Sequence, residues 1–297
     1  MSRLYFRDRY LEKIRSFYDE GEIIKVITGV RRCGKSSLLE MIVTELREKG
    51  IPDENIVEIH LDRRPYKRIR TVEALEAVID EKCQNVNGLK YLFLDEIQNV
   101  RDFEESINAY REEGDYSIFI TGSNSYLLSG ELATKLTGRY IEYEMSTLTF
   151  DEYLEMKKFY GKEIAANPED EFDKYMLEGG FPFAVRLDSF ADKRLYTKSV
   201  IDEIYEKDIR KNKRIKNRLL FTTIQTYIIN NFGATMSIKS LCEYLESTTK
   251  MTVRKETVYN YFSILENAKI VSKCSRFDMK SRKSLRGEEK YYLSDLS

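Results

Sequence analysis

Two short segments of the sequence combine residue types that bind and cleave phosphate esters. The first, GVRRCGKSS, spans residues 29–37 and places Gly29, Gly34, Lys35 and Ser36 in the spacing G-x-x-x-x-G-K-[ST]. Glycines in this spacing let backbone N–H groups curl around phosphate oxygens, and the lysine brings a positive charge to the β- and γ-phosphates. The Ser36 hydroxyl is a suitable Mg²⁺ ligand. The segment, with Ser37 at its end, is therefore predicted to bind a nucleotide; the alternative is a plain glycine turn beside an exposed lysine.

The second segment, YLFLDEIQ at residues 91–98, places Asp95 and Glu96 after four apolar or aromatic residues. A buried strand would bring both carboxylates out at its carboxyl end, beside the phosphates. Asp95 would then hold Mg²⁺ through water, and Glu96 would polarise the water that attacks the γ-phosphate. Two surface carboxylates at a strand end would give the same letters.

Two further positions could complete such a site. FITGSNS ends the next apolar run, so Ser123 or Asn124 could orient the attacking water, although a simple turn explains these residues as well. LTGRY places Arg139 at the start of a last strand. Its guanidinium could neutralise transition-state charge in its own or a neighbouring subunit.

Alternating strand and helix patterns surround these residues. Short β-branched or apolar runs at residues 22–30, 55–62, 89–97, 116–123 and 139–145 alternate with helical patterns, the last of them a short helix at 130–136. This alternation predicts an α/β fold with a parallel sheet covered on both faces.

The strand pattern stops near Leu148, and amphipathic helices follow. EGGFPFAV, at residues 178–185, predicts a turn or hinge among them. From Arg218 onward, three helices precede two short strands around a basic loop, which is the outline of a winged helix. We predict a P-loop ATPase core at 1–147, a helical lid or connector at 148–217 and a winged-helix domain at 218–297.

Composition narrows the class of protein. The chain has 297 residues with 49 Lys+Arg and 50 Asp+Glu; from Lys211 onward there are 17 basic and 8 acidic residues, which leaves 32 and 42 before it. A basic second part favours a polyanionic partner, although a solvated basic surface is the alternative. No run approaches about 18 apolar residues, so we predict a cytoplasmic protein without a membrane span. Four scattered cysteines and one histidine predict neither a disulfide framework nor a zinc site.

Taken together, GVRRCGKSSLL, YLFLDEIQNV, FITGSNSYLLSGELATKLTGRY and EGGFP resemble a group of prokaryotic AAA+-type ATPases. The resemblance covers about residues 15–297. It implies a P-loop NTPase sheet of strand order 5-1-4-3-2, a helical lid, a winged helix and ATP as the nucleotide; the sequence has no N-K-x-D guanine motif. Relatives usually continue into a nuclease-like domain, whereas this sequence ends at YYLSDLS, so no activity of such a domain is assigned.

The resemblance also implies roles inside the loop. Arg31 and Arg32 look like accessory contacts to phosphate or to the lid, and Cys33 looks like a small residue that fits. A thiol at a helix N-terminus can have a lowered pKa, which would make Cys33 sensitive to oxidation.

In the predicted winged helix, the third helix (residues 254–270) and the wing are the surfaces that would meet DNA. The candidate contacts on the helix are Arg254, Lys255, Tyr259 and Asn260, and those on the wing are Arg276, Lys280, Arg282, Lys283 and Arg286. Val258, Phe262, Ile264 and Leu265 are predicted to face the core.

The leading hypothesis is a Mg²⁺-dependent ATPase whose nucleotide state controls a winged helix on double-stranded DNA. One alternative is a nucleotide-gated signalling switch whose winged helix binds protein, and another is a small-molecule P-loop kinase. AAA+ relatives often form rings, so the chain could assemble into a homo-oligomer, and the sequence leaves this point open.

Overall fold

The computed structural model describes residues 3–122, 136, 138–209, 215–249, 253–279 and 283–297. The chain divides into two compact units, one ending at Ile164 and the other beginning at Ala165. The boundaries predicted at residues 147 and 217 stay predictions. No helix in the described ranges is both long enough and apolar enough to cross a bilayer.

The first unit contains five strands that form one parallel sheet. The strands are β1 (Ile24–Gly29), β2 (Ile56–His60), β3 (Lys90–Asp95), β4 (Tyr116–Thr121) and β5 (Tyr140–Met145). The helices are α1 (Asp8–Ile14), α2 (Lys35–Glu48), α3 (Val72–Cys83), α4 (Phe103–Glu113) and α5 (Phe150–Phe159). The strands lie in the order β2-β3-β4-β1-β5, which reads 5-1-4-3-2 from the other edge. The short helix predicted at 130–136 lies outside the described residues, apart from Leu136.

The three central strands are rich in apolar residues because both of their faces are covered. Every residue of β1, β3 and β4 is buried. Leu92, Leu94 and Ile118 belong to one core that also holds residues of α3 and α4. On the alternate positions, Phe93 stacks on Phe119 with ring centroids 4.7 Å apart. Burial of both faces explains why these strands read as continuous hydrophobic runs.

Parallel strands bring their carboxyl ends to one edge of the sheet. Gly29, His60, Asp95, Thr121 and Met145 are the last residues of the five strands. The loop that connects β1 to α2 begins at this same edge. The fold therefore collects side chains from distant parts of the sequence around that loop.

The second unit combines helices with a small antiparallel sheet. Its helices are α6 (Pro168–Glu178), α7 (Pro182–Arg186), α8 (Phe190–Ile204), α9 (Arg218–Asn230), α10 (Ile238–Thr249) and α11 (Lys255–Asn267). Its strands are β6 (Thr235–Met236), β7 (Val271–Asp278) and β8 (Lys283–Leu293), in the order β6-β8-β7. Val258, Phe262, Ile264 and Leu265 of α11 are buried, as predicted.

The glycine pair of EGGFP lies between α6 and α7. Gly179 has φ +74°, and a Cβ there would lie 2.2 Å from Oδ1 of Asp295. The Gly180 N–H donates to Oδ2 of the same carboxylate at 2.8 Å. The two glycines thus let the backbone approach Asp295 closely, which explains why no side chain is present at this turn.

Candidate functional site

The loop between β1 and α2 has the backbone that a phosphate cradle needs. Gly29 has φ +141°, and a Cβ at this position would lie 2.1 Å from the carbonyl oxygen of Met145. Gly34 has φ +109° and is the N-cap of α2. Side chains at either position would be strained, so both glycines are required by the geometry. The positive end of the α2 dipole faces the loop, which favours an anion there.

Lys35 lies inside this loop rather than in solvent. Only 5% of the residue is exposed, although it is the first residue of α2. Its Nζ donates to the carbonyl oxygens of Gly29 at 3.1 Å and Val30 at 3.2 Å. The ammonium group is therefore held at the mouth of the loop, from which phosphate oxygens are within reach.

The remaining loop side chains surround the cradle. Arg32 is exposed and has φ +67°, while Arg31, Ser36 and Ser37 are half-buried. The left-handed backbone at a non-glycine residue is uncommon and occurs often at ligand-binding loops. The accessory contact predicted for the two arginines stays a prediction.

The Asp95 carboxylate is hydrogen-bonded to side chains at the ends of both neighbouring strands. His60 Nδ1 lies 3.1 Å from Oδ2, and the Thr121 hydroxyl donates to Oδ1 at 2.5 Å. The Ser36 side chain lies close enough to this carboxylate to stabilise its charged form. Burial acts to raise the pKa of Asp95, but these hydrogen bonds outweigh it and lower the pKa. The carboxylate therefore stays ionised, as a Mg²⁺ ligand must be.

Glu96 follows in a conformation that turns it away from the strand. Its φ and ψ are +59° and +46°, and its N–H donates to the Thr121 hydroxyl at 3.0 Å. The half-buried carboxylate accepts a hydrogen bond from the Gln98 amide. Glu96 thus lies beside Asp95 at the edge where the phosphate loop begins, with Gln98 as its present partner.

These residues fit a nucleotide with its magnesium ion. Within the described ranges, no three His, Cys, Asp or Glu side chains form a cage for a metal. Ser36 and Asp95 nevertheless meet next to the phosphate loop. Mg²⁺ is commonly held by one or two protein oxygens together with substrate phosphates and water, which is the donor set available here.

Two residues of the site carry no local sequence signal. His60 ends β2 and Thr121 ends β4, and both contact Asp95 at the end of β3. The hydrogen bond to Asp95 raises the pKa of His60 to about 9, so this imidazole is protonated at neutral pH. The one available signal is positional, because the last residue of each parallel strand reaches the same edge.

Arg7 supports the phosphate loop from behind. The residue is 3% exposed, and its guanidinium donates to the carbonyl oxygen of Cys33 at 3.0 Å. It also donates to the carbonyl oxygens of Ser146 and Thr147 at 3.0 and 3.3 Å and forms an ion pair with Glu152 at 2.7 Å. Arg7 therefore ties the loop to the segment after β5, across 145 residues of sequence.

Of the two interpretations of Cys33, the structure favours a small residue that fits over an oxidation-sensitive thiol. The side chain is completely buried, and burial raises the pKa of its thiol despite the nearby charges of Lys35 and Arg7. A buried, protonated thiol is a poor nucleophile. Cys33 fills space beneath the loop, as the resemblance implied.

Arg139 lies at the opposite edge of the sheet from the phosphate loop. Tyr140 pairs with Ile24 at the start of β1, whereas the loop follows Gly29 at its end. The Arg139 guanidinium donates to Oδ1 of Asn108 at 3.0 Å. The fold therefore does not bring Arg139 to the phosphates of its own chain, and a role in a neighbouring subunit stays a prediction. Ser123 and Asn124 lie outside the described residues.

The predicted DNA contacts of the second unit lie partly within the described residues. Arg254, Lys255, Tyr259 and Asn260 are all exposed at the N-terminal part of α11. Lys283 begins β8, and Arg276 is exposed on β7. Lys280 and Arg282 lie outside the described residues. The helix thus presents a polar surface opposite its buried apolar side.

Comparison with known protein families matches two family models to most of the chain. The model for an AAA domain matches residues 21–154, and a domain of unknown function (DUF8612) matches residues 169–297. An uncharacterized protein of Haemophilus influenzae is 32% identical over 290 residues, which cover 97% of this chain and 71% of that protein. Uncharacterized protein MJ1544 of Methanocaldococcus jannaschii is 32% identical over 270 residues, which cover 87% of this chain and 58% of that protein. The chain thus spans between 58% and 71% of these relatives' lengths.

A solved structure shares the fold. The Walker-type ATPase PABY2304 of Pyrococcus abyssi superposes with a TM-score of 0.62 at 16% identity, covering 98% of this chain and 94% of that chain. At this identity the likeness concerns the fold alone. The chain therefore has the fold of a P-loop ATPase of the AAA type.

Proposed function

The chain belongs to the family of the Haemophilus influenzae protein and carries an AAA domain at residues 21–154, and from this premise we propose that it binds and hydrolyses Mg²⁺-ATP. The observation that carries the proposal is the convergence of Lys35, held by two carbonyl oxygens of a glycine loop, with Ser36 and the buried Asp95 at the mouth of that loop. These are two Mg²⁺ ligands and a phosphate-binding cation in one place.

Each group of the site has a distinct task in this proposal. Backbone N–H groups from Gly29 to Gly34 and the N-terminus of α2 bind phosphate oxygens, and Lys35 leaves its two loop carbonyls to contact the β- and γ-phosphates. Ser36 and Asp95 would hold the metal. When bound, Mg²⁺ neutralises charge that develops on the phosphate oxygens.

Glu96 is the proposed general base. Its carboxylate would exchange the Gln98 amide for the attacking water and withdraw a proton as the oxygen approaches the γ-phosphate. The hydrogen bond from the Glu96 N–H to Thr121 supports this role, because it fixes the backbone beside the metal ligand. Asn124, as the residue that orients the water, is part of the same proposal.

Nucleotide binding is tested by titration calorimetry with a non-hydrolysable ATP analogue and Mg²⁺. Lys35→Ala removes a charged hydrogen bond to phosphate, and affinity should fall by about 10- to 100-fold. Lys13→Ala, an exposed lysine on α1, is the matched control and should bind as the wild type does. Equal affinity of Lys35→Ala and the control would contradict the assignment of the loop.

We also propose that the second unit is a winged helix that binds double-stranded DNA under the control of the nucleotide. Its order of elements supports this: α9, β6, α10 and α11 precede the hairpin β7–β8, and β6 pairs with β8. The exposed Arg254 and Lys255 at the start of α11, with the basic wing, supply cations for DNA phosphates.

A salt titration of duplex binding tests this second part. Arg254→Ala/Lys255→Ala should bind duplex DNA more weakly and reduce the slope of log K against log salt by about 2. The reason is that each cation removed leaves one phosphate contact unmade, so about one counterion fewer is released on binding. Lys239→Ala/Lys269→Ala removes the same charge elsewhere in the unit. Identical behaviour of the two double variants would favour a winged helix that docks protein. Transfer of phosphate to a small acceptor with little free phosphate would favour the kinase alternative.

A further inference from the structure

The connection from β2 to α3 concentrates positive charge in a unit that is otherwise acidic. The segment Asp62–Arg70, which we call the basic loop, reads DRRPYKRIR and contains five cations and one acid. The cations are Arg63, Arg64, Lys67, Arg68 and Arg70. The whole unit, residues 1–164, carries 25 basic and 31 acidic residues, so its composition alone does not account for this cluster.

The basic loop has a defined backbone. Tyr66 packs against the core and Ile69 is buried, so these two side chains anchor the loop from inside. Lys67 N donates to the carbonyl oxygen of Arg63 at 2.8 Å, and Ile69 N donates to that of Tyr66 at 2.9 Å. A loop ordered in this way loses little conformational entropy when it binds a partner.

The charged groups point to solvent and are poorly neutralised. All five cations are exposed. Arg63 contacts Glu40 at 3.3 Å, a surface pair that contributes little. In the part of the chain that the structure describes, the side chains of Arg64, Lys67 and Arg68 have neither an ion-pair nor a hydrogen-bond partner. The loop therefore presents several solvated cations on a fixed support.

These features favour one chemistry of partner. Four of the five cations are arginines, whose planar guanidinium groups bind phosphate with two parallel hydrogen bonds. No large apolar side chain of the loop is exposed, since Tyr66 and Ile69 face inward, so the loop lacks the apolar face with which a lipid-binding segment enters a bilayer. A polyanion that needs no apolar contact, such as the phosphate backbone of a nucleic acid, fits best.

The basic loop is distinct from the nucleotide cradle but bonded to its metal ligand. β2 is an edge strand, and at about 4.8 Å per strand its axis is roughly 14 Å from that of β1, while Arg63 at the start of the loop pairs with Glu40 of α2. Leu61 N donates to the carbonyl oxygen of Asp95 at 3.0 Å, and Arg101 N donates to that of Arg70 at 3.1 Å. Both ends of the loop are thus fixed to the segment that carries Asp95 and Glu96.

We propose that the basic loop is a contact surface for the phosphate backbone of nucleic acid, located on the AAA domain and separate from the contacts proposed for α11. The test is the fluorescence anisotropy of a labelled duplex of random sequence, titrated with the full chain over a series of salt concentrations. Arg64→Ala/Lys67→Ala/Arg68→Ala should weaken binding and lower the salt slope by about 2 to 3.

The matched control removes three exposed cations from other elements of the same unit: Arg9→Ala/Lys13→Ala/Lys158→Ala. The proposal is overturned if the loop variant and this control have the same affinity and salt slope. It is also overturned if the loop variant binds duplex normally but loses binding to vesicles of anionic lipid, or if it loses affinity for the Mg²⁺-ATP analogue, because the loop would then serve a membrane or the nucleotide.

This outcome is separable from the proposed function. Failure of the α11 variant to weaken duplex binding would contradict the winged-helix proposal and leave the basic loop supported. Failure of the loop variant alone would remove the inference drawn here and leave ATP hydrolysis and the α11 contacts intact.

Discussion

The most informative single residue of the site is Thr121, because it connects the two acidic residues. Its hydroxyl donates to Oδ1 of Asp95 and accepts from the N–H of Glu96. A hydroxyl can donate and accept from the same atom, which a side chain of this size needs in order to contact both groups. Thr121 thereby fixes the metal ligand and the proposed general base relative to each other.

The first prediction follows from this double role. Thr121→Val keeps the shape of the side chain but removes the donor to Oδ1 of Asp95 and the acceptor of the Glu96 N–H. We expect kcat for ATP hydrolysis to fall by about 10- to 100-fold and the Mg²⁺ requirement to rise. Thr121→Ser, which keeps the hydroxyl, should restore most of the rate. Wild-type kinetics of Thr121→Val in a steady-state Mg²⁺ titration would show that Thr121 does not position the site.

Residue patterns predicted only part of this site. Gly29, Gly34 and Lys35 lie close together in sequence, so their spacing alone specifies the loop. His60, Thr121 and Arg7 contact Asp95 or the loop from far away in sequence, and single residues of common type carry no local pattern. Their roles depend on strand order and register, which only the folded sheet provides.

At the scale of elements, the strand–loop–helix around residues 24–48 and the buried strand that ends at Asp95 follow from hydrophobic patterning. The position of Lys25 does not follow from that patterning. Lys25 lies in the middle of β1 and is completely buried, with Nζ donating to the carbonyl oxygen of Glu20 at 2.6 Å and to Ser117 Oγ at 2.8 Å. An alternating pattern would place a lysine on a solvent-facing side, but both sides of β1 are buried.

Burial lowers the pKa of Lys25 to about 7, although the charges of Glu20 and Asp19 oppose the shift. The unfolded chain, with a lysine pKa near 10.4, then binds more protons than the folded chain above pH 7, so this residue makes the free energy of unfolding rise with pH. Below pH 7 its contribution is constant and unfavourable.

We therefore predict a pH-dependent difference between the wild type and Lys25→Met. Between pH 7 and pH 9, the free energy of unfolding of the wild type minus that of the variant should increase by up to about 1.4 kcal/mol per pH unit. Urea denaturation at several pH values measures this difference, and contributions from other groups, such as His60, cancel in it. A difference independent of pH would mean that the folded-state pKa of Lys25 is not lowered.

At the scale of the whole molecule, the sequence predicted an acidic first part and a basic second part, and the fold adds a local exception. The basic loop lies in the acidic unit, at the carboxyl edge of the sheet, while α11 presents Arg254 and Lys255 in the second unit. Net charge along the chain could not reveal the loop, because five cations are diluted among 42 acidic residues. Their shared exposure is a property of the fold.

Arg139 shows the complementary case. LTGRY suggested a site residue, but the parallel register puts the start of β5 at the edge remote from the phosphate loop. A sequence motif shows only that residues are close along the chain. In a parallel sheet, the start of one strand lies a full strand length away from the carboxyl end of its neighbour. If Arg139 contributes to hydrolysis, it would therefore act at the phosphate loop of a neighbouring copy of the chain.

The most direct test of the central claim is the steady-state release of phosphate from Mg²⁺-ATP, with and without duplex DNA, by the wild type, Glu96→Gln and Lys35→Ala. We predict release by the wild type, a decrease of about 100-fold or more in Glu96→Gln with nucleotide binding retained, and weaker nucleotide binding together with a strong decrease in release in Lys35→Ala. Release by Glu96→Gln at the wild-type rate would place the base elsewhere, and absence of release by the wild type under both conditions would contradict the proposed hydrolysis.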